Sequence, residues 1–129
     1  MSKMQVAFET ELQHGCIVLR DTESEGDISD WDPSERAWFV DRGSAIFAVL
    51  PGVDGQVRCE VWRGSPDSPL PHRLFEETFV ISGAFQATDP AGVVSVELAT
   101  IRGAHQVEVL VDDLEWAGHV QVVVDPDGR

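Results

Sequence analysis

The sequence predicts an all-β fold, an antiparallel β-sandwich of about eight or nine strands with one short helical turn near residues 33–38. Three observations carry that expectation. Apolar and polar residues alternate with period two in several runs, strand-length runs recur about every ten residues, and the segments between them are rich in Gly, Pro and Asp. At 129 residues the chain has the size of a single domain, taken as residues 1–129, and 43% hydrophobic residues with four Trp and six Phe suffice for one core.

Taken in order, residues 5–12 place Val6, Phe8, Thr10 and Leu12 on one face and Gln5, Ala7, Glu9 and Glu11 on the other. Residues 56–62 repeat the pattern, with Val57, Cys59 and Val61 against Arg58, Glu60 and Trp62. Val107, Val109 and Val111 continue it, as do Val120, Val122 and Val124. The denser apolar runs CIVL, SAIFAVL, FVI and VVSVEL suit central strands covered on both faces. Turn chemistry separates these runs at PGVDG, GSPDSPLP, DPAG, RG and DDLEWAG. The helical turn is expected at DPSE, with Asp32 as N-cap, Pro33 at the first helical position and Glu35 reaching back.

Twenty-three acids against nine bases give a formal charge of -14. Such a field repels phosphate backbones and anionic membranes, so direct binding to nucleic acid or to a membrane is not expected. It speeds encounter with a basic protein. No signal-peptide-like run and no stretch of membrane-spanning length is present, and the chain reads as cytoplasmic. Cys16 and Cys59 fall in strands, where a reduced thiol acts as a small buried hydrophobe.

The acids concentrate in RDTESEGDISDWDPSER, residues 20–36, where Asp21, Glu23, Glu25, Asp27, Asp30, Asp32 and Glu35 surround Trp31. With Asp32 and Glu35 assigned to the helical turn, the other five form a solvent-facing set. Trp31 and Pro33 interrupt the alternate-position pattern of an EF-hand. His14, His72, His105 and His119 are widely spaced and no Cys-x-x-Cys or His-x-His pair exists, so no metal and no cofactor is assigned. PHRLFEETFVISGAF has the outline of a cupin motif but lacks its His pair. No Gly-x-Ser-x-Gly elbow occurs, Cys59 points inward, and adjacent Glu76 and Glu77 face opposite sides of a strand, so no catalytic residue is assigned.

Aromatic residues among acids suit a basic protein surface, the ring supplying desolvated area and the acids steering and register. Trp31 beside Asp27 and Asp30 is one such group, and Trp116 beside Asp112, Asp113 and Glu115 is another. Trp62 is expected to cap an edge of the core.

The stretch DISDWDPSERAWFVDRGSAIFAV resembles the competence protein J family, small cytosolic β proteins that inhibit a partner nuclease. The likeness lies in the Asp30-Trp31 dipeptide, a short helical turn, an aromatic residue before the hairpin Asp41-Arg42-Gly43, and an apolar strand from Ser44 to Leu50. The later order ETFVISGAF, GVVSVEL and RGAHQVEV extends it over most of the chain in outline. Ala37 stands where a Gly is expected before Trp38, and Gly103-Ala104-His105 where a Gly-x-Tyr is expected, in a chain without Tyr. These departures touch partner identity more than fold. The resemblance implies a nuclease as the basic partner, because a groove built for a polyanion also accepts clustered carboxylates.

The leading expectation is therefore a non-enzymatic acidic module that binds and inhibits a basic protein through Asp21, Glu23, Glu25, Asp27, Asp30 and Trp31, with Asp112, Asp113, Glu115 and Trp116 as a second group. Two alternatives stay open: a β-barrel enzyme or small-ligand-binding domain whose carboxylates converge only in space, and a calcium-dependent binding module. Whether Trp31 points outward, the strand order and the oligomeric state are not legible at this level.

Overall fold

Val57, Cys59, Val61, Val107, Val109, Val120, Val122 and Val124 are all fully buried, so the period-two pattern does mark an interior face. The structure, a computed structural model, describes residues 2–126. Its strands are β1 (Lys3–Thr10), β2 (Cys16–Asp21), β3 (Trp38–Asp41), β4 (Ser44–Ala48), β5 (Val57–Arg63), β6 (His72–Ile81), β7 (Phe85–Thr88), β8 (Ser95–Leu98), β9 (Gly103–Val111) and β10 (His119–Val124). They form two five-stranded sheets, ordered β1-β5-β10-β9-β6 and β3-β4-β2-β7-β8. Residues 1 and 127–129 of the expected domain lie outside the described residues.

The sandwich is thus as expected in class, with three differences. Ten described strands stand where about eight or nine were predicted, because WFVD and FQAT, too short to show a period, become β3 and β7. The first sheet is mixed, since β10 runs parallel to β5, with Val122 opposite Val61. Finally, FVI and VVSVEL do not form central strands. They belong to β6 and β8, both at sheet edges, which leaves Val80 63% exposed.

Aromatic rings lock the two sheets together across the interior. Trp38 of β3 stacks on Phe75 of β6 at 4.9 Å between centroids, Phe47 meets Phe75 edge-on at 5.9 Å, and Phe79 meets Phe85 at 6.0 Å. The cysteines behave as buried hydrophobes. Burial, aided by the charge of Glu60, pushes the Cys59 thiol up to about 12, and burial, aided by Asp89, raises Cys16 to about 11.

The acidic stretch from 22 to 37 connects β2 to β3 and crosses the outer face of the second sheet. Ile28 and Trp31 pack there with Phe39 on Cys16, Val18 and Ile46, forming a small second core. The segment is a flap stapled to the sheet. Its close approach needs glycine at one point: a Cβ on Gly26 would overlap the Asp41 carbonyl oxygen. Further on, the turn at DPSE is one turn long, with the N–H groups of Glu35 and Arg36 donating to the Asp32 carbonyl at 3.0 and 3.2 Å. Asp32 Oδ1 accepts the Ser34 N–H at 2.9 Å, which is the N-cap bond expected. A 3-10 turn at Gly52–Asp54 was not anticipated.

Candidate protein-binding surface

The strand registers send the connecting segments to two opposite ends. At one end β2, β3, β5, β6, β8 and β10 begin and β1, β4, β7 and β9 finish. The loops 11–15, 32–37, 49–56, 89–94 and 112–118 gather there. Four of the six exposed large apolar side chains among the described residues lie in these loops: Val53 at 95%, Val93 at 67%, Leu114 at 53% and Trp116 at 57% exposure. They are spread over three loops, and of the four Leu114 and Trp116 line one groove together.

Within that end, the β9–β10 loop and the last turn of the flap face each other across a groove of about 550 Å³. Its walls include Leu114, Glu115 and Trp116 from one side and Pro33, Glu35 and Arg36 from the other. Backbone bonds hold both walls in place. Leu50 donates its N–H to the Ala117 carbonyl at 2.9 Å, and Ala48 donates to Ala37 at 2.9 Å. The β9–β10 loop is shaped by its own acids: Asp113 Oδ1 accepts the N–H groups of Glu115 and Trp116 at 2.8 and 2.9 Å, and Asp112 Oδ1 accepts those of Gly118 and His119 at 3.0 and 3.2 Å. The N–H donors of Trp116 and Glu115 hold the Asp113 carboxyl below the usual carboxylate range. Both acids therefore shape the loop, and Asp113 stays charged on it.

The sequence-predicted residues do not form one patch. Asp112, Asp113, Glu115 and Trp116 sit at the groove end. Glu23 and Glu25 lie at the opposite end of the sandwich, where they line a groove of about 450 Å³ with Asp21, Arg42, Val80 and Ser82. Asp27 and Asp30 are exposed along the flap between the two ends, with Asp27 Oδ1 accepting the Ser29 N–H at 2.9 Å.

Two residues of that set face inward, not outward. Asp21, expected at the surface with the other acids, is 4% exposed. Its Oδ2 accepts the Ser82 N–H at 3.0 Å and its Oδ1 those of Gly83 and Glu23 at 2.9 and 3.3 Å, so it fastens the β6–β7 turn to the end of β2. Trp31 is half-buried on the second core, and its Nε1–H donates to the Arg36 carbonyl at 3.0 Å. Of the two tryptophans set among acids, Trp116 is the one that meets solvent. Sequence reasoning missed Leu114 and Pro33 as groove residues and gave Glu35 to the cap. The apolar letter beside Trp116 in DDLEWAG was the available signal.

A second polar cluster lies on the outer face of the first sheet. Glu60 is 7% exposed. Its oxygens accept the Trp62 Nε1–H, the Arg58 Nε–H and the His119 Nε2–H, each at 2.9 Å, and the Gln121 amide at 3.2 Å. The loop between β5 and β6 closes over it, since Gln121 also accepts the Leu70 N–H at 2.9 Å and donates to the Ser68 carbonyl at 3.2 Å. Trp62 thus covers this network and not an edge of the main core. Desolvation alone would raise the Glu60 carboxyl, but the donors from Trp62, His119, Arg58 and Gln121 outweigh it and lower it to about 2.

Because the folded value lies below the ordinary 4.5, the stabilisation from Glu60 is complete above pH 4.5 and is lost as pH falls through about 2. Urea midpoints of the wild type are expected to fall over that window. Glu60→Gln should start lower at neutral pH and show a shallower fall; parallel curves for the two proteins would contradict the assignment.

Among the described residues, no group of three or more His, Cys, Asp or Glu side chains is placed to hold a metal ion, and no helix is long and apolar enough to cross a membrane.

No family model matches the chain, and no curated protein sequence matches it either. Among solved structures, it is similar to ComJ, inhibitor of the DNA degrading activity of NucA, from Bacillus subtilis, with a TM-score of 0.65 and 12% identity over 96% of this chain and 97% of that one. It is also similar to a protein described as crocagin biosynthetic gene J, with a TM-score of 0.56 and 12% identity over 98% and 99% of the two chains. At that identity the likeness is one of fold, and end to end the chain has the sandwich seen in ComJ.

Proposed function

We propose that this chain is a non-enzymatic protein-binding inhibitor whose target is a basic nuclease, engaged through the groove end of the sandwich. The observation that carries the reading is the exposure of Trp116 and Leu114 together, beside Glu35, Asp113 and Glu115, in a chain of net charge -14. An apolar centre with an acidic rim complements a basic protein: the ring and the leucine supply desolvated area, and the acids supply steering and register. The fold shared with ComJ supports a nuclease as the target class, since ComJ inhibits the DNA degrading activity of NucA. A nuclease groove is positive because DNA is polyanionic, and it attracts clustered carboxylates by the same field.

The test is inhibition of DNA degradation by the NucA-type nuclease of the same cell, with association rates followed as ionic strength rises from about 0.01 M to about 0.15 M. The rate is expected to drop by about tenfold or more across that range. A triple variant, Asp30→Asn with Glu35→Gln and Glu115→Gln, neutralises exposed acids at and beside the groove end without touching the loop-shaping carboxylates. It should associate more slowly and with a flatter salt dependence, at an unchanged melting temperature. An on-rate equal to that of the wild type at low salt would refute the proposal.

A further inference from the structure

His105 is held between two acceptors. It stands near the start of β9, at the end of the sandwich away from the groove, and its side chain is largely buried. Its Nδ1 lies 2.8 Å from Asp125 Oδ2, and its Nε2 lies 2.6 Å from the Arg102 carbonyl oxygen. A carboxylate and a carbonyl only accept, so both contacts are hydrogen bonds only when each ring nitrogen carries a proton, as in the imidazolium. The neutral ring has one N–H, and its other nitrogen would turn a lone pair toward an oxygen.

Neighbouring elements hold both acceptors in place. Asp125, at φ 55, donates its N–H to the Gln106 carbonyl at 2.7 Å, and its Oδ1 accepts the Gln106 N–H at 3.3 Å. Arg63 of β5 reaches the same Oδ2 at 3.6 Å, so Asp125 pairs with two bases. β6 sets Phe79 opposite the ring, and the nearest titratable residue along that strand, Glu77, pairs with Val107. On the other side, Arg102 has an exposed side chain and follows Ile101, which is fully buried in the main core. The Ile101 N–H donates to the Leu98 carbonyl at 3.3 Å, so the short connection from β8 to β9 plugs the core at this end.

Loss of the ring proton acts on the two contacts unequally. A hydrogen bond to a charged acceptor is the stronger kind, so the remaining proton stays on Nδ1 with Asp125. A bare Nε2 then faces the Arg102 carbonyl, and that contact must open. We propose that His105 is a pH-operated clasp: while charged it fastens the β8–β9 connection to the end of β10, and on losing its proton it releases Arg102 and loosens Ile101. Its contribution to stability is complete while the ring is charged and is lost as pH rises, the reverse of Glu60.

The experiment follows the two ring nitrogens of His105 by nitrogen-15 shifts, together with amide exchange at Ile101, from about pH 5 to about pH 9. Exchange at Ile101, corrected for its intrinsic rate, is expected to rise by about tenfold or more as the ring loses its proton, with the remaining proton on Nδ1. His105→Gln, which has no such proton to lose, should show no step. Asp125→Asn removes the charge at a backbone angle that asparagine also tolerates, and should move the step to lower pH. A ring that loses its proton without a change at Ile101, or that keeps the proton on Nε2, would overturn the proposal. So would a ring still doubly protonated at the alkaline limit, an unmoved step in Asp125→Asn, or the wild-type step in His105→Gln.

Discussion

Replacing Trp116 by alanine is expected to raise the dissociation constant for the basic partner by about 30-fold, equivalent to about 2 kcal/mol, and to leave thermal stability almost unchanged. The two halves of that expectation come from one fact, the 57% exposure of this side chain in the free protein. Little packing is lost on truncation, whereas a partner that covers the ring loses a large desolvated contact. The ring is also held ready, because Asp113 fixes the Trp116 backbone N–H at 2.9 Å. Less ordering is then needed at the moment of binding. Leu114→Ala should act in the same direction and more weakly, and the pair should be non-additive because both residues line one groove.

Trp31→Ala is the control that separates the two acidic loops. Trp31 packs on Cys16, Val18 and Ile46 through the second core, so its truncation should lower stability by about 2 kcal/mol. Isothermal titration and thermal melts on both variants decide the matter. Unchanged affinity in Trp116→Ala, together with loss of affinity at unchanged stability in Trp31→Ala, would return the anchor to Trp31.

Asp21→Ala is expected to destabilise the fold by about 3–5 kcal/mol, a large share of the stability of an ordinary domain. Three backbone N–H groups, those of Ser82, Gly83 and Glu23, lose their acceptor, and the turn between β6 and β7 has little room to relax. A Cβ at Gly83 would already collide with the Thr22 hydroxyl, which shows how closely that turn is drawn against β2. Asp21→Asn keeps one acceptor oxygen and should cost less.

The same bonds predict a pH dependence. Burial would raise the Asp21 carboxyl, but the N–H donors of Ser82, Gly83 and Glu23, with the charge of Arg20, outweigh it and hold the group below its ordinary 3.8. Its contribution is therefore present above that value and lost as pH falls below it. Urea denaturation of the three proteins against pH measures this. Partner association rates for Asp21→Asn should equal the wild type wherever the variant is folded, which distinguishes an internal fastener from a surface charge.

Legibility in the sequence followed the range of the interaction concerned. Alternation located β5, β9 and β10 because each inward valine must skip one residue, whatever the sheet beside it. Turn residues located most connections for an equally local reason, and Asp32 made the cap that DPSE implied. The parallel pairing of β5 with β10 left no such trace, since a strand's pattern is the same whichever neighbour it takes. Glu60 sat on the polar face of its strand and read as exposed. Its donors come from Arg58 and Trp62 on the same strand and from His119 and Gln121 on β10, and the loop 64–71 bonds to Gln121 above that face; the length and prolines of GSPDSPLP were the one hint of the loop.

The acids show the same division. Their number, and with it the net charge of -14, follows from composition alone because charge adds up without regard to conformation. Which acids meet solvent does not add up in that way. Asp21 turned inward because two N–H groups of the distant β6–β7 turn converge on it beside the local one of Glu23, and Trp31 turned inward because β2, β3 and β4 leave apolar side chains on their outer face. Trp116 stayed outward on the groove wall, where its loop ties its own backbone down through Asp113. Direction is decided by what other strands bring alongside, and only the folded chain specifies that.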